Sequence, residues 1–245
     1  NEILSRRNEI VRHLKRLGAD RKYRDSFGEM LCDGKKLLFE ALGHGYEVTS
    51  VLWTGDKPDI EISGMYRTSR DIIEYVSPLK TAQNIVFSCK IREKTKRLMG
   101  NSIILENIQD PGNVGAMLRT ANAFGVDCVY LLGTCADMYN PKTIRASMGA
   151  VFRQDFGNID YGDIDKMKKM GIPVYGAALA EDCVSLESVS LSGCSFVIGN
   201  EGHGITEELL LNCDKKVIIP INPDCESLNA SSAAAVIMWE MRKAR

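Results

Sequence analysis

No stretch of this chain offers the run of about 18 apolar residues that a membrane span requires, and none of its eight cysteines is spaced as a CxxC pair. They stand at positions 32, 89, 128, 135, 183, 194, 213 and 225, mostly inside apolar stretches. Reduced, largely buried thiols are therefore expected, with neither a disulfide framework nor a metal site. The opening NEILSRRNEIVRHLKRL carries charges throughout, so it is not expected to be a secretory leader, and a cytoplasmic location is expected. Also missing are internal repeats, low-complexity tracts, a GK[ST] phosphate loop and a GxGxxG dinucleotide fingerprint. The last absence, together with the lack of an acidic residue about 20 positions further on, argues against a nucleotide-cofactor oxidoreductase.

What is present is an ordinary globular composition, 44% hydrophobic and 26% charged, on a chain of 245 residues, long enough for two domains. The net charge of −1 hides an asymmetry. Residues 1–100 carry 19 Lys/Arg against 14 Asp/Glu, and the remainder 12 against 18. Any polyanion is expected to meet the front half first, and Arg7, Arg12, Arg21, Lys22 and Arg24 are the candidate phosphate contacts; a solvated helix face would give the same pattern.

Periodicity predicts a first helix with Ile10, Val11, Leu14 and Leu17 on one face. A strand over Met30–Cys32, a helix from about Asp33, a β-rich stretch over 47–54, a helix over 72–76 and a strand at 85–89 complete a small mixed domain, 1–92. The charge-dense segment 93–100 reads as a linker. From 101 to 245 the pattern alternates: strands near 103–106, 128–132, 174–177, 195–198 and 217–219, with helices near 113–124, 141–148, 163–170, 205–212 and 228–243. Such alternation predicts a mostly parallel α/β sheet covered on both faces.

Three Gly/Asn/Ser-rich loops follow carboxyl ends of those strands, where open α/β sheets place their ligands. In ENIQDPGNVGAMLRTANAFG, Asn113 is the expected helix cap, and Arg119 is expected to project with Gly115 away from the buried stripe, leaving open space for a substrate. Taken alone, the segment is equally a capped helix with a surface arginine. IGNEGHGI packs Gly199, Asn200, Glu201, Gly202, His203 and Gly204 into a turn that lets backbone approach a ligand closely. IPINPDCESLNASSAAA brings Ile219, Pro220, Ser227, Leu228 and Asn229 to the start of a helix of small residues expected to be buried.

In this order and spacing, the three segments resemble the motifs of SpoU (TrmH-type) RNA 2′-O-ribose methyltransferases of the SPOUT superfamily. The residues carrying the resemblance are Asn113, Gly115 and Arg119; Gly199, Glu201, Gly202 and Gly204; and Pro220, Ser227, Leu228 and Asn229. Residues 21–90 resemble that family's ribosomal-protein-like RNA-recognition domain. The resemblance implies S-adenosylmethionine as cofactor, held by Gly199, Asn200, Gly202, Ile219, Pro220, Ser227 and Leu228. It implies catalytic roles for Arg119, Asn113, Glu201 and Asn229, a carboxyl-terminal trefoil knot and a homodimer. The substrate it implies is RNA, ribosomal rather than transfer; a non-catalytic RNA-binding protein keeping the same fold is the alternative. Two departures stand out: the third loop has no glycine between Pro220 and Ser227, where relatives often carry one, and is stiffened by Pro223; and Cys32-Asp33-Gly34 replaces a common valine and glutamate before the glycine.

Overall fold

The computed structural model describes residues 1–93, 95–178 and 182–245. It divides into two compact units, one of residues 1–93 with 137–153, the other of 94–136 with 154–245. Lys94, within the expected linker 93–100, lies outside the described residues.

The first unit contains β1 (Glu2–Ile3), α1 (Glu9–Ala19), α2 (Arg21–Phe27), β2 (Glu29–Asp33), α3 (Lys35–Gly43), β3 (Val48–Trp53), β4 (Met65–Thr68), α4 (Arg70–Val76) and β5 (Ile85–Lys90). The strands form one mixed sheet in the order β1-β4-β3-β5-β2. Of the expected stripe of α1, Val11, Leu14 and Leu17 are fully buried against Leu31, Leu52, Ile72 and Ile73, and Ile10 is half-buried beside them. The basic run at Arg21 is itself a helix. Asp20 caps it by accepting a hydrogen bond from the Tyr23 N–H, and Gly28 ends it at φ +60°, the left-handed conformation glycine adopts without strain.

In the second unit the elements are β6 (Ser102–Glu106), α5 (Pro111–Phe124), β7 (Cys128–Leu132), β8 (Phe156–Ile159), α7 (Tyr161–Lys169), β9 (Val174–Ala177), β10 (Val184–Ser185), β11 (Ser195–Ile198), α8 (Glu207–Asn212), β12 (Lys215–Ile218) and α9 (Ala230–Lys243). Seven parallel strands run in the order β10-β12-β9-β11-β6-β7-β8. The parallel α/β sheet matches expectation, with β8 and β10 added, strands too short and too polar to register as apolar runs.

Between β7 and β8 lies α6 (Pro141–Ser147), and its segment, 137–153, belongs to the first unit. The sequence division had left it with residues 101–245. Ile144 and Ser147 of α6 are fully buried, and Arg24, 3% exposed, donates hydrogen bonds to the Asp137 carboxylate (2.7 Å) and the Leu17 carbonyl (2.7 Å). Local periodicity does not register such a long-range pairing. All eight cysteines are free, four of them buried and Cys225 exposed.

Candidate active site

Asp110, not Asn113, caps α5. Its carboxylate accepts from the Asn113 N–H at 2.8 Å, and Pro111 takes the first helical position, where a missing N–H costs nothing. Asn113 is thereby freed, and its side-chain amide donates to the Glu201 carboxylate at 2.8 Å. The Asn229 amide in turn donates to the Asn113 side-chain oxygen at 3.5 Å, while Asn229 caps α9 by accepting from the Ser231 N–H. One polar chain thus joins the three loops.

Loops two and three enclose a cavity of about 470 Å³, inside the roughly 300–1,000 Å³ span of small-molecule sites. Gly199, Asn200, Glu201, Gly202, Ile219, Ser227 and Leu228 line it, with Ala177 and Ala178 at the end of β9 and Leu210 of α8. The glycine loop folds back on itself: Asn200 and Gly204 exchange two backbone hydrogen bonds of 2.9 Å. A Cβ on Gly199 would sit 2.2 Å from the Gly204 carbonyl carbon and the Ile205 nitrogen, so only glycine fits there. Asn200 fixes the turn, its side-chain oxygen accepting from the Gly202 N–H (2.9 Å) and its amide donating to the Asn107 carbonyl (2.8 Å). His203 stays exposed at the rim, with Nδ1 3.3 Å from the Asn200 oxygen. Across loop three, the Cys225 N–H donates to the Asn222 carbonyl and the Asp224 N–H to the Asn222 side chain, a turn in which Pro223 occupies the position that favours a fixed φ.

Residues 100–239 match the family model described as SpoU rRNA Methylase family. The chain belongs to that family. A curated relative from Bacillus subtilis (strain 168), 23S rRNA (guanosine(2553)-2′-O)-methyltransferase RlmP, is 31% identical over 98% of this chain and 99% of its own. The crystal structure of an AdoMet-bound rRNA methyltransferase from Sinorhizobium meliloti is 25% identical, with a TM-score of 0.88 over 99% of this chain and 97% of that one. An RNA 2′-O ribose methyltransferase structure, 24% identical, shares the fold at a TM-score of 0.87, covering 100% of this chain and 99% of its own.

Several sequence expectations for this SpoU-family site need correction. Gly115 is buried with Val114, Met117, Leu118 and Ala121, so it offers no open space beside Arg119; α5 packs on a wider arc than the expected stripe. Arg119 is exposed and makes no hydrogen bond or ion pair among the described residues, and it does not line the cavity, nor does the exposed Pro220. Arg24 is buried in its pair with Asp137 and unavailable to phosphate. Arg7, Arg12, Arg21 and Lys22 are exposed, Arg21 with its Nε 3.8 Å from Asp25. Helix α9 is not buried all round: Val236 is 37% and Trp239 50% exposed.

Glu106 is not among the residues that carry the family resemblance. It is fully buried at the end of β6, accepting from the Thr206 N–H (2.8 Å), the Thr206 hydroxyl (2.5 Å) and the Tyr161 hydroxyl (3.0 Å). Burial, with the Glu106 charge adding to it against the opposing Thr206 contact, pushes the Tyr161 hydroxyl above its ordinary pKa, so it stays a donor. A carboxylate closing an apolar strand was the available signal, since buried carboxylates are rare without partners. No group of three or more His, Cys, Asp or Glu that could hold a metal exists among the described residues, and no described helix is long and apolar enough to cross a membrane.

Proposed function

We propose that this chain transfers a methyl group from S-adenosylmethionine to a ribose 2′-hydroxyl of RNA, with ribosomal RNA as substrate. The observation that carries the reading is that Asn113 and Asn229 link all three separated loops to Glu201, which lines the cavity. The names of its relatives support the substrate class.

The cavity fits the cofactor. Leu210 and Ile219 with the small Ala177, Ala178 and Gly199 would hold the cofactor's apolar base, and the Glu201 carboxylate suits a cationic centre. When bound, S-adenosylmethionine supplies an activated methyl on a sulfonium, and no metal is needed. The protein's part is to fix the line of attack and to match the charge that develops on the ribose oxygen. Asn113, itself held by Asn229, braces the Glu201 carboxylate, and the two asparagines orient the substrate side of the site. Arg119, whose guanidinium keeps its proton at any physiological pH, stabilises the developing alkoxide rather than removing the proton. An arginine that is unpaired and outside the cavity of its own chain is consistent with a site completed at a subunit contact. The exposed Val236 and Trp239 on α9 support a homodimer. The trefoil threading belongs to the same proposal, supported by β9, β11 and β12 lying side by side out of chain order.

Calorimetry with S-adenosylmethionine and transfer of labelled methyl into unmodified ribosomal RNA test the reading together. Saturable cofactor binding and an alkali-resistant 2′-O-methyl product are expected; failure to bind the cofactor would overturn it. Arg119→Ala is expected to keep cofactor affinity within about twofold while the methylation rate falls about 10²–10³-fold, the scale of losing a donor to a developing oxyanion. An unimpaired rate removes Arg119 from the scheme.

A further inference from the structure

The cations expected from sequence to meet RNA are partly spent: Arg24 on Asp137, Arg21 near Asp25. A different set is free. Lys35 and Lys36 open α3, directly after Gly34. Arg145 of α6 reaches the same turn, its Nη1 3.9 Å from where a Gly34 Cβ would stand. Lys142 lies three residues before Arg145 on α6, hence on the same side of that helix. All four side chains are exposed, and none is hydrogen-bonded or ion-paired to a described residue; Lys35 lies only over the Phe39 ring, 5.8 Å from its centroid.

Nearby carboxylates are already engaged. Asp33 accepts from the Ser77 hydroxyl (2.5 Å) and the Gln83 N–H (2.9 Å), while Glu40 is paired with Arg153 and lies 3.8 Å from His44 Nε2. Two chain segments more than 100 residues apart therefore meet at the Gly34 turn, and each carries two cations with no ion pair to a described residue. We propose that Lys35, Lys36, Lys142 and Arg145 form a docking surface for the phosphate backbone of the RNA substrate. The proposal rests on the RNA reading above and deepens it: Arg145 and Lys142 come from the segment inserted between β7 and β8, so the surface is composite in sequence. Phosphates are the matching partner because the set offers spaced positive charge, and such contacts position a nucleic acid without reading its bases.

The test uses the full chain and an unmodified 23S ribosomal RNA transcript, with binding measured as a function of salt. Each neutralised phosphate contact contributes a slope of about 0.7–0.9 in log affinity against log salt. The combined K35Q/K36Q/K142Q/R145Q variant is expected to bind at least about tenfold more weakly at moderate salt, with the slope reduced by about three. The charge-conserving K35R/K36R/K142R/R145K variant is expected to keep wild-type affinity and slope. Calorimetric binding of S-adenosylmethionine is expected to stay unchanged, which also reports that the variant is folded. A combined variant with wild-type affinity and slope overturns the proposal and leaves the methyl-transfer reading intact. Loss of cofactor binding by the wild-type chain instead removes the reading on which the proposal stands, and wild-type chain that binds cofactor but no RNA overturns the surface and the RNA substrate together.

Discussion

Gly199 shows how one missing side chain shapes this site. The backbone of Gly204 and Ile205 passes within 2.2 Å of the place a Cβ would take, closer than any real carbon contact, because Asn200 and Gly204 are locked face to face. Gly199→Ala must therefore open that lock, at the roughly 1–3 kcal/mol typical of overpacking. Cofactor affinity measured by calorimetry is expected to fall about tenfold or more, with Gly202→Ala as contrast, since a Cβ there meets nothing nearer than the Asn200 oxygen at 3.6 Å. Equal losses in both variants would show that the tight turn is not what the cavity depends on. At this scale the sequence was a good guide to which residues line the cavity and a poorer one to their local duties. Asn113 was read as a cap because asparagine caps helices well; Asp110 does that job, since a proline follows it and sets the helix start, and Asn113 is left to hold Glu201.

Elements are placed by residues that no local pattern reveals. The end of β6 meets the starts of α7 and α8 through Glu106, whose three donors come from positions 55 and 100 residues away. Thr206 directly follows the glycine loop and stands just before α8 without a side-chain capping bond, its hydroxyl being given to Glu106, so Glu106 holds that loop's exit. Glu106→Gln swaps an acceptor oxygen for an amide amongst donors and leaves one of them without a partner, a cost of about 1–3 kcal/mol in a buried site. The KM for S-adenosylmethionine is expected to rise several-fold with kcat within about twofold, and Thr206→Val to do the same in part; a fall in kcat alone would place Glu106 at the chemistry. In the first unit, Glu29 is held by Lys90 (2.8 Å), with Thr49 donating to it and His13 Nε2 at 3.1 Å. Burial opposes its ionisation, but those hydrogen bonds and the Lys90 charge outweigh burial, keeping the carboxyl below its ordinary range. A depressed carboxylate stabilises the fold fully above its unfolded pKa, about 4.3, and that stability is lost as pH falls through the lower folded value. Glu29→Gln is expected to flatten the fall of melting temperature below about pH 4.3; an unchanged acid limb would exclude Glu29 as a contributor. Strand and helix periods were legible because they are local; α2 and the return of 137–153 were not, because the first hides in a short charged run and the second rests on Arg24–Asp137 pairing across more than 100 residues.

At the scale of the whole molecule, the face of the second unit formed by α5 and α9 is open. Trp239 is half exposed, its ring 5.6 Å from that of Phe124 on α5, with Val236 exposed one turn before it. The run of alanines and serines at the start of α9 suggests burial, but small residues equally suit a surface onto which another backbone can settle, and the exposed aromatic supports the second. A large aromatic on such a face is costly to leave in water: fully burying a side chain of this class is worth about 1.5–3 kcal/mol, and two copies related by a twofold axis would gain it twice. Trp239→Glu places a charge there at the loss of only the half-exposed contact with Phe124, so the chain is expected to fold and bind S-adenosylmethionine while sedimenting as a monomer, where the wild type is expected to sediment at twice the monomer mass. If Arg119 reaches the cofactor of the partner subunit, methylation is expected to fall in the monomeric variant as far as in Arg119→Ala. A monomeric wild type, or a Trp239→Glu monomer with full activity, would mean that each chain completes its own site.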